Sequence, residues 1–398
     1  MRNNIPLRKV YIMVEMLSRL LDLHKNQIYI DFEKIVNINS FTSNIEGIDN
    51  MKNALIEIAK RQDINLEIVY SSKKARPHLM YQKELREDYY AGIGHFDTVH
   101  PADSDFNAYD DRGEFIVGPG TNDMKSGLLV AIYSLTILKT LYPNRQIPIK
   151  ILFNSDEETG SSDSQEIIES EFINAKAGFV FEPGRINGEI VTKRKGIASL
   201  DIEVLGKPAH SGVAPWDGIN SILASCQIIQ KLEALNDYKN GIIVGCNQIS
   251  AGVARNVVPA YSKITVDIRF DTMKQKEILF ENIEDILNED NSVGAEVNYD
   301  LTMGRPALIR NEESIRLSKI YRNISTKLGY SCEEVSTGGV SDGNFISAMG
   351  IPVLDGLGAV GDFSHTKQEY IKKDSILYRI KIFVLFMSEI LNEEQLNK

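Results

Sequence analysis

Apolar positions recur at helical spacing at the start of the chain, through Val10-Tyr11-Ile12 and again across residues 45–58. Residues 1–62 are therefore predicted largely helical, with 31–44 as a helix end and a loop. Residues 65–70 alternate weakly, as a strand does, and the polar stretch 76–86 reads as a hairpin or loop. The pattern then shifts to short continuous apolar runs. Residues 89–94 predict a buried strand, 128–141 an apolar helix, 146–154 (with the core IPIKILF) a second buried strand and 177–181 a third.

From residue 188 strict alternation takes over. Strands are predicted at 196–206, 241–251, 260–271 and 293–302, with helices at 218–235 and 274–287. The order β-α-β-β-α-β is ferredoxin-like. A helix at 313–328, a glycine-rich turn at 337–343, a strand at 351–354 and a helix at 374–391 complete the chain. The chain thus reads as α/β: a domain of residues 1–191 and 304–398 around a central sheet, interrupted by a smaller domain at 192–303. There is no internal repeat.

Composition narrows the function. The chain has 398 residues, ample for two cores, and its 43% hydrophobic and 25% charged residues are ordinary for a globular protein. A net charge of −11 argues against a nucleic-acid partner, which calls for a basic face. Cys226, Cys246 and Cys332 are scattered without a CxxC, which suits a reducing compartment and buried packing roles. The N-terminus is broken by charge at Arg8, Lys9, Glu15 and Arg19, unlike a signal peptide, and no run of about 18 apolar residues predicts a membrane span. The expectation is a cytoplasmic protein.

The chemistry gathers where predicted strands end. His95 and Asp97 follow the first buried strand, and Asp123 follows the loop GPGTN. Glu157 and Glu158 follow the second strand, and Glu182 the third. His365 comes late, in GDFSHT. In open α/β sheets, ligands bind at the carboxyl ends of strands. Two imidazoles with several carboxylates form a borderline-hard site for zinc or another divalent transition ion. Five ligands suffice for two ions if one carboxylate bridges them, which leaves one glutamate of the consecutive pair free to act as a base.

Taken singly, each of these groups has a plainer reading. A lone carboxylate is more often solvated, and Asp123 ahead of a helix would serve as an N-cap. Asp156 is expected at the surface or as a cap. His24, His78 and His100 are assigned to the surface, and Trp216 to packing within the smaller domain. Lys193-Arg194-Lys195 reads as a solvated hinge face able to steer an acidic substrate.

The joint pattern resembles the zinc exopeptidase and deacylase family of glutamate carboxypeptidase, aminoacylase, acetylornithine deacetylase and succinyl-diaminopimelate desuccinylase. GHFDTV, GPGTNDMKSG, DEETGS, FEPG, GKPAHSG, GVARNVVP with VDIRF, and STGGVSDGN followed by FSHTKQEYI carry the resemblance across nearly the whole chain. It implies a zinc-exopeptidase-like catalytic domain with a central mixed sheet and an inserted lid and dimerisation domain. It implies two zinc ions, with cobalt or manganese as substitutes. Asp123 would bridge them, His95 and Glu182 completing one ion and Glu158 and His365 the other. Asp97 would orient His95, and Glu157 would act as general base and acid. A cis peptide is expected after Asp123. In the lid, His210 would reach the active site of a partner in a homodimer, while Asn256, Arg269, Arg305 and the turn at Gly338 and Gly339 would bind substrate.

The implied activity is hydrolysis of an amide bond next to a free carboxylate, nearest the glutamate carboxypeptidase branch. An N-acyl-amino-acid deacylase of the acetylornithine or succinyl-diaminopimelate type is the second reading. A non-catalytic binding protein on the same scaffold is the third.

Overall fold

The computed structural model describes residues 7–289 and 293–396. The first six residues of the predicted N-terminal helix lie outside them. The chain divides into two compact units, one of residues 1–192, 310–336 and 341–398 and one of residues 193–309 and 337–340.

The first unit is built on a six-stranded mixed sheet. Its order is Leu66–Val69, His78–Tyr81, Ile149–Asn154, Tyr90–His95, Gly178–Val180 and Val353–Leu354. His78–Tyr81 pairs antiparallel with both Leu66–Val69 and Ile149–Asn154, and the remaining neighbours run parallel. Parallel strands are covered on both faces, so they lack alternation. Tyr90–His95 and Ile149–Asn154 are buried at every position, which is why they appear in the sequence as continuous apolar runs.

The helix Ser126–Leu141 packs on the C-terminal helix Ser375–Leu396, and Leu128, Leu129, Ile132, Phe383 and Phe386 share one core. The stretch Thr121–Leu141 is apolar enough by composition to cross a membrane, yet 83% of its apolar window is buried inside the protein. It is a core element. The long helix Leu7–Val36 and the helix Ile45–Arg61 add Leu17, Ile28, Phe32, Met51 and Ile58 to the same core.

The stretch 76–86, expected as a hairpin or loop, holds the buried strand His78–Tyr81, which pairs antiparallel with Leu66–Val69. Its polar flanks, Arg76, Lys83, Glu84 and Arg86, mask four sheet positions. A helix at Gln165–Phe172 and a small antiparallel sheet were also not foreseen. That sheet orders Gly361–Asp362, Tyr370–Lys372, Phe115–Val117 and Asp110–Asp111.

The second unit has the predicted β-α-β-β-α-β order. Its antiparallel sheet runs Ile243–Ala251, Tyr261–Phe270, Gly196–Leu205 and Glu296–Met303. Alternate residues of Tyr261–Phe270 and Gly196–Leu205 are buried, among them Leu200, Ile202, Val266 and Ile268. The helices Ser221–Glu233 and Met273–Asn288 share that core through Ile228, Leu232, Ile283 and Leu287.

The basic run of the second unit is partly buried and paired rather than a fully solvated face. Asp271, just past the strand Tyr261–Phe270, takes Lys193 on one oxygen at 2.6 Å and Lys195 on the other at 2.8 Å. Arg194 is 3% exposed and donates to the carbonyls of Gly339 and Val340. Trp216 is 79% exposed and so does not pack as expected. The cysteines are free, and Cys332 alone is buried; Cys226 is exposed and Cys246 half-buried.

Candidate metal centre

Parallel register assembles the site. His95 pairs with Asn154 across adjacent strands, so residues 95–97 and 155–158 leave the sheet side by side. Gly178–Val180 lies parallel on the other flank of Tyr90–His95 and delivers Glu182 just beyond its end. Asp123 arrives on the loop that enters the helix Ser126–Leu141. That loop turns at Gly120, where φ is 71° and a Cβ would stand 2.6 Å from Cγ2 of Thr98, so glycine is required. The Asp123–Met124 peptide is cis. His365 sits between two strands of the small sheet, one of which pairs Tyr370 with Val117, upstream of Asp123. Its φ of 66° is a left-handed value that histidine tolerates better than most residues.

Five predicted ligands converge. Oδ1 of Asp123 lies 3.1 Å from Nε2 of His95, and Oδ2 lies 3.3 Å from Nε2 of His365. Glu182 approaches Nε2 of His95 at 3.4 Å, and Glu158 approaches Nε2 of His365 at 3.3 Å. His95, Asp123 and Glu158 each offer a ligand atom within 4.8 Å of the others. Among the described residues, Oε1 of Glu158 is buried and makes no hydrogen bond. The donor set and this orphaned oxygen fit a divalent metal centre.

The electrostatics describe the same cluster without metal. Burial opposes charge on His95, but hydrogen bonds to Asp123, Asp97 and Glu182 raise its pKa well above the ordinary imidazole value. Burial would raise Asp123, yet hydrogen bonds from His365 and His95 hold it well below the usual carboxylate range. Burial, and then the charge of Asp123, push Glu158 up to about 7. Hydrogen bonds to Asp123 and Glu158 raise His365 to about 11.

Asp97 does more than orient His95. Nδ1 of His95 is 3.0 Å from the Asp97 carbonyl and 3.4 Å from its carboxylate. The carboxylate oxygens accept the backbone N–H groups of Glu157 and Glu158, each at 3.2 Å, and the hydroxyl of Thr42 at 2.8 Å. Asp97 therefore sets the path of the two consecutive glutamates. Asp156, expected at the surface or as a cap, is a buried cap: it accepts from the N–H groups of Asp163 and Ser164 and from the Ser164 hydroxyl.

Two histidines assigned to the surface are buried. His78 is fully buried, with Nε2 3.0 Å from Asp163 and Nδ1 accepting from the Ser155 N–H at 3.2 Å. It braces the turn that carries Glu157 and Glu158. His100 is 6% exposed and contacts Glu369. His24 is half-buried, edge-on to Tyr133. The apolar run Leu79-Met80-Tyr81 that follows it is the local signal for a buried His78.

The remaining predicted residues belong to the second unit. Arg269 donates to the Gly338 carbonyl at 2.8 Å and pairs with Asp267 at 2.9 Å. His210 is exposed, and the Ser211 N–H donates to the Asn256 carbonyl at 3.0 Å. Gly338 and Gly339 are exposed, while Arg305 is 2% exposed and its carbonyl accepts from the Ile197 N–H.

The family model described as peptidase family M20/M25/M40 matches residues 92–389. Carboxypeptidase G2 of Pseudomonas sp. (strain RS-16) is 27% identical over 364 residues, covering 87% of this chain and 85% of that protein. A succinyl-diaminopimelate desuccinylase of Colwellia psychrerythraea is 26% identical and covers 67% of this chain and 70% of its own. The crystal structure of aminopeptidase PepT from Bacillus cereus superposes with a TM-score of 0.76 at 20% identity, over 92% of this chain and 98% of that one.

Proposed function

The chain belongs to peptidase family M20/M25/M40 and is a hydrolase, and we propose that it cleaves an amide bond next to a free carboxylate, as a glutamate carboxypeptidase does. The observation that carries this reading is the placement of Asp123 between His95 and His365, each imidazole having its own glutamate. In this reading His95, Asp123 and Glu182 hold one divalent ion, and Asp123, Glu158 and His365 hold a second. Zinc is the proposed metal, with cobalt or manganese as substitutes. Bound there, the pair supplies Lewis-acid polarisation of the scissile carbonyl.

The other roles fall to the chain. Glu157, beside a ligand but outside the ligand set, takes a proton from the attacking water and passes it to the departing nitrogen as the C–N bond breaks. Asp97 keeps both glutamates and His95 in place through the contacts described above. His210, Asn256, Arg269, Arg305, Gly338 and Gly339 are proposed to serve the substrate, with His210 acting on a partner's site in a homodimer formed through the second unit. A reducing, cytoplasmic setting belongs to the same proposal, supported by three free cysteines.

Carboxypeptidase G2 covers the larger share of the chain, which favours the carboxypeptidase branch. The desuccinylase likeness favours a second reading, removal of an N-acyl group with the same residues. The deciding experiment offers zinc-loaded protein dipeptides and N-acyl amino acids ending in Glu, Asp, Leu, Lys or Gly, with acetylornithine and succinyl-diaminopimelate. Preference for C-terminal Glu supports the first reading. Preference for an acetyl or succinyl group replaces it with the second, and no hydrolysis by metal-bound protein overturns both.

A further inference from the structure

Three backbone amides and one imidazole converge on a carboxylate to which the reaction assigns no part. Glu369 is fully buried. Its Oε1 accepts from the N–H groups of Asn122 at 2.8 Å and Asp123 at 2.9 Å. Its Oε2 accepts from the Gly120 N–H at 3.0 Å and lies 2.8 Å from Nε2 of His100. A carboxylate has about four acceptor positions, so these contacts fill it. The carbonyl of Glu369 also accepts from the Gly118 N–H at 3.2 Å. A second tie runs beside the first, Nδ2 of Asn122 donating to Oγ of Ser364 at 2.8 Å.

These bonds join two particular segments. One runs through Gly120 to Asp123, the other from Ser364 through His365 to Glu369. Each contributes one partner of the contact between Asp123 and His365. A carboxylate that only capped a tight turn would need neither the amide of the shared ligand itself nor a place four residues from a second ligand. The arrangement is costly to bury and is offset by the charge-assisted bonds from these amides. Lys125 donates to the carbonyls of Val36 and Ile38, at 3.3 and 2.8 Å, anchoring the far end of the same loop.

We infer that Glu369, backed by His100, is a positioning residue of the metal centre: it holds the main chain at Asp123 in register with His365, so that one aspartate can face both imidazoles. The inference rests on the two-metal reading above.

Glu369→Gln tests it. The substitution keeps the side-chain volume but replaces an acceptor oxygen with an NH2 group that must face backbone N–H donors. Zinc affinity, measured by competition with a chromogenic chelator, is expected to fall about 10–100-fold, the range typical when an outer partner of a ligand is lost. kcat should fall with it, and KM should hold. His100→Phe keeps the ring and the amide bonds but removes one donor; its loss should be smaller and in the same direction.

Metal-free melting temperature is recorded for both variants. Zinc affinity and kcat equal to wild type in both, with only the melting temperature lowered, would overturn the inference and leave Glu369 a structural residue. If Glu369→Gln does not fold, His100→Phe decides alone by the same criterion. Wild-type protein that takes up no divalent metal would instead overturn the two-metal reading, and the inference with it.

Discussion

Oδ2 of Asp123 lies 3.3 Å from Nε2 of His365, although one precedes the core helix Ser126–Leu141 and the other comes shortly before the C-terminal helix. The second oxygen of the same carboxylate faces His95 at 3.1 Å. One side chain therefore couples the two halves of the site, and losing it should not resemble losing any other ligand.

Asp123→Ala is expected to empty both metal positions, bringing zinc content after dialysis close to zero. Glu182→Ala and Glu158→Ala remove a group from one imidazole each, and each should retain about one zinc per chain of about two. Metal analysis of the three variants checks this. Full zinc content in Asp123→Ala would contradict a shared ligand.

Glu157→Gln should lower kcat about 10²–10⁴-fold, the range for loss of a positioned general base, while zinc content stays at the wild-type value. Steady-state kinetics and metal analysis on one preparation separate these effects. Wild-type turnover would remove Glu157 from the mechanism.

Zinc affinity should rise with pH. Without metal, His365 holds its proton up to about pH 11, and Glu158 up to about 7. Ligands bind metal in their deprotonated forms, so binding must displace these protons. Each step down in pH therefore favours the metal-free state, and most steeply below 7, where Glu158 is protonated as well. Calorimetry in two buffers of different ionisation enthalpy at pH 7.5 should detect release of about one or more protons per chain on loading. Proton uptake would reverse the sign and contradict the cluster described.

His78→Phe keeps a ring in the sheet but leaves the Ser155 N–H and one Asp163 oxygen short of a partner. Stability should fall by about 2 kcal/mol, the usual cost of unsatisfied buried polar groups. Urea unfolding of metal-free protein measures it, and a change below about 0.5 kcal/mol would place the His78 network outside the fold's support.

The proposed ligands His95, Glu158 and Glu182 are legible in the sequence because each comes just after a short apolar run, and parallel strands bring their carboxyl ends together. His95, Asp97, Glu157, Glu158 and Glu182 need only that rule. Asp123 and His365, by contrast, sit on loops and are singled out by the family resemblance. What lies behind them is not legible. The partner of His78 is 85 positions away and that of His100 is 269, and periodicity carries no information about pairs so distant. Both histidines fit no motif, and histidine is compatible with surface or core, so a local reading does not find their buried carboxylate partners. The small sheet is hidden for another reason: strands such as Asp110–Asp111 and Gly361–Asp362 are too short to show alternation. Arg194 belongs to a run that looks solvated until Asp271 supplies its neighbours with a counter-charge.

The central claim is that a metal-dependent site cleaves an amide bond beside a free carboxylate. The most direct measurement compares an N-acyl-glutamate with its α-carboxamide, using zinc-loaded protein and the same protein stripped by chelator. Hydrolysis of the free acid alone, abolished by stripping and restored by zinc, is the expected result. Equal cleavage of both compounds, or full activity in protein shown to hold no metal, would contradict it.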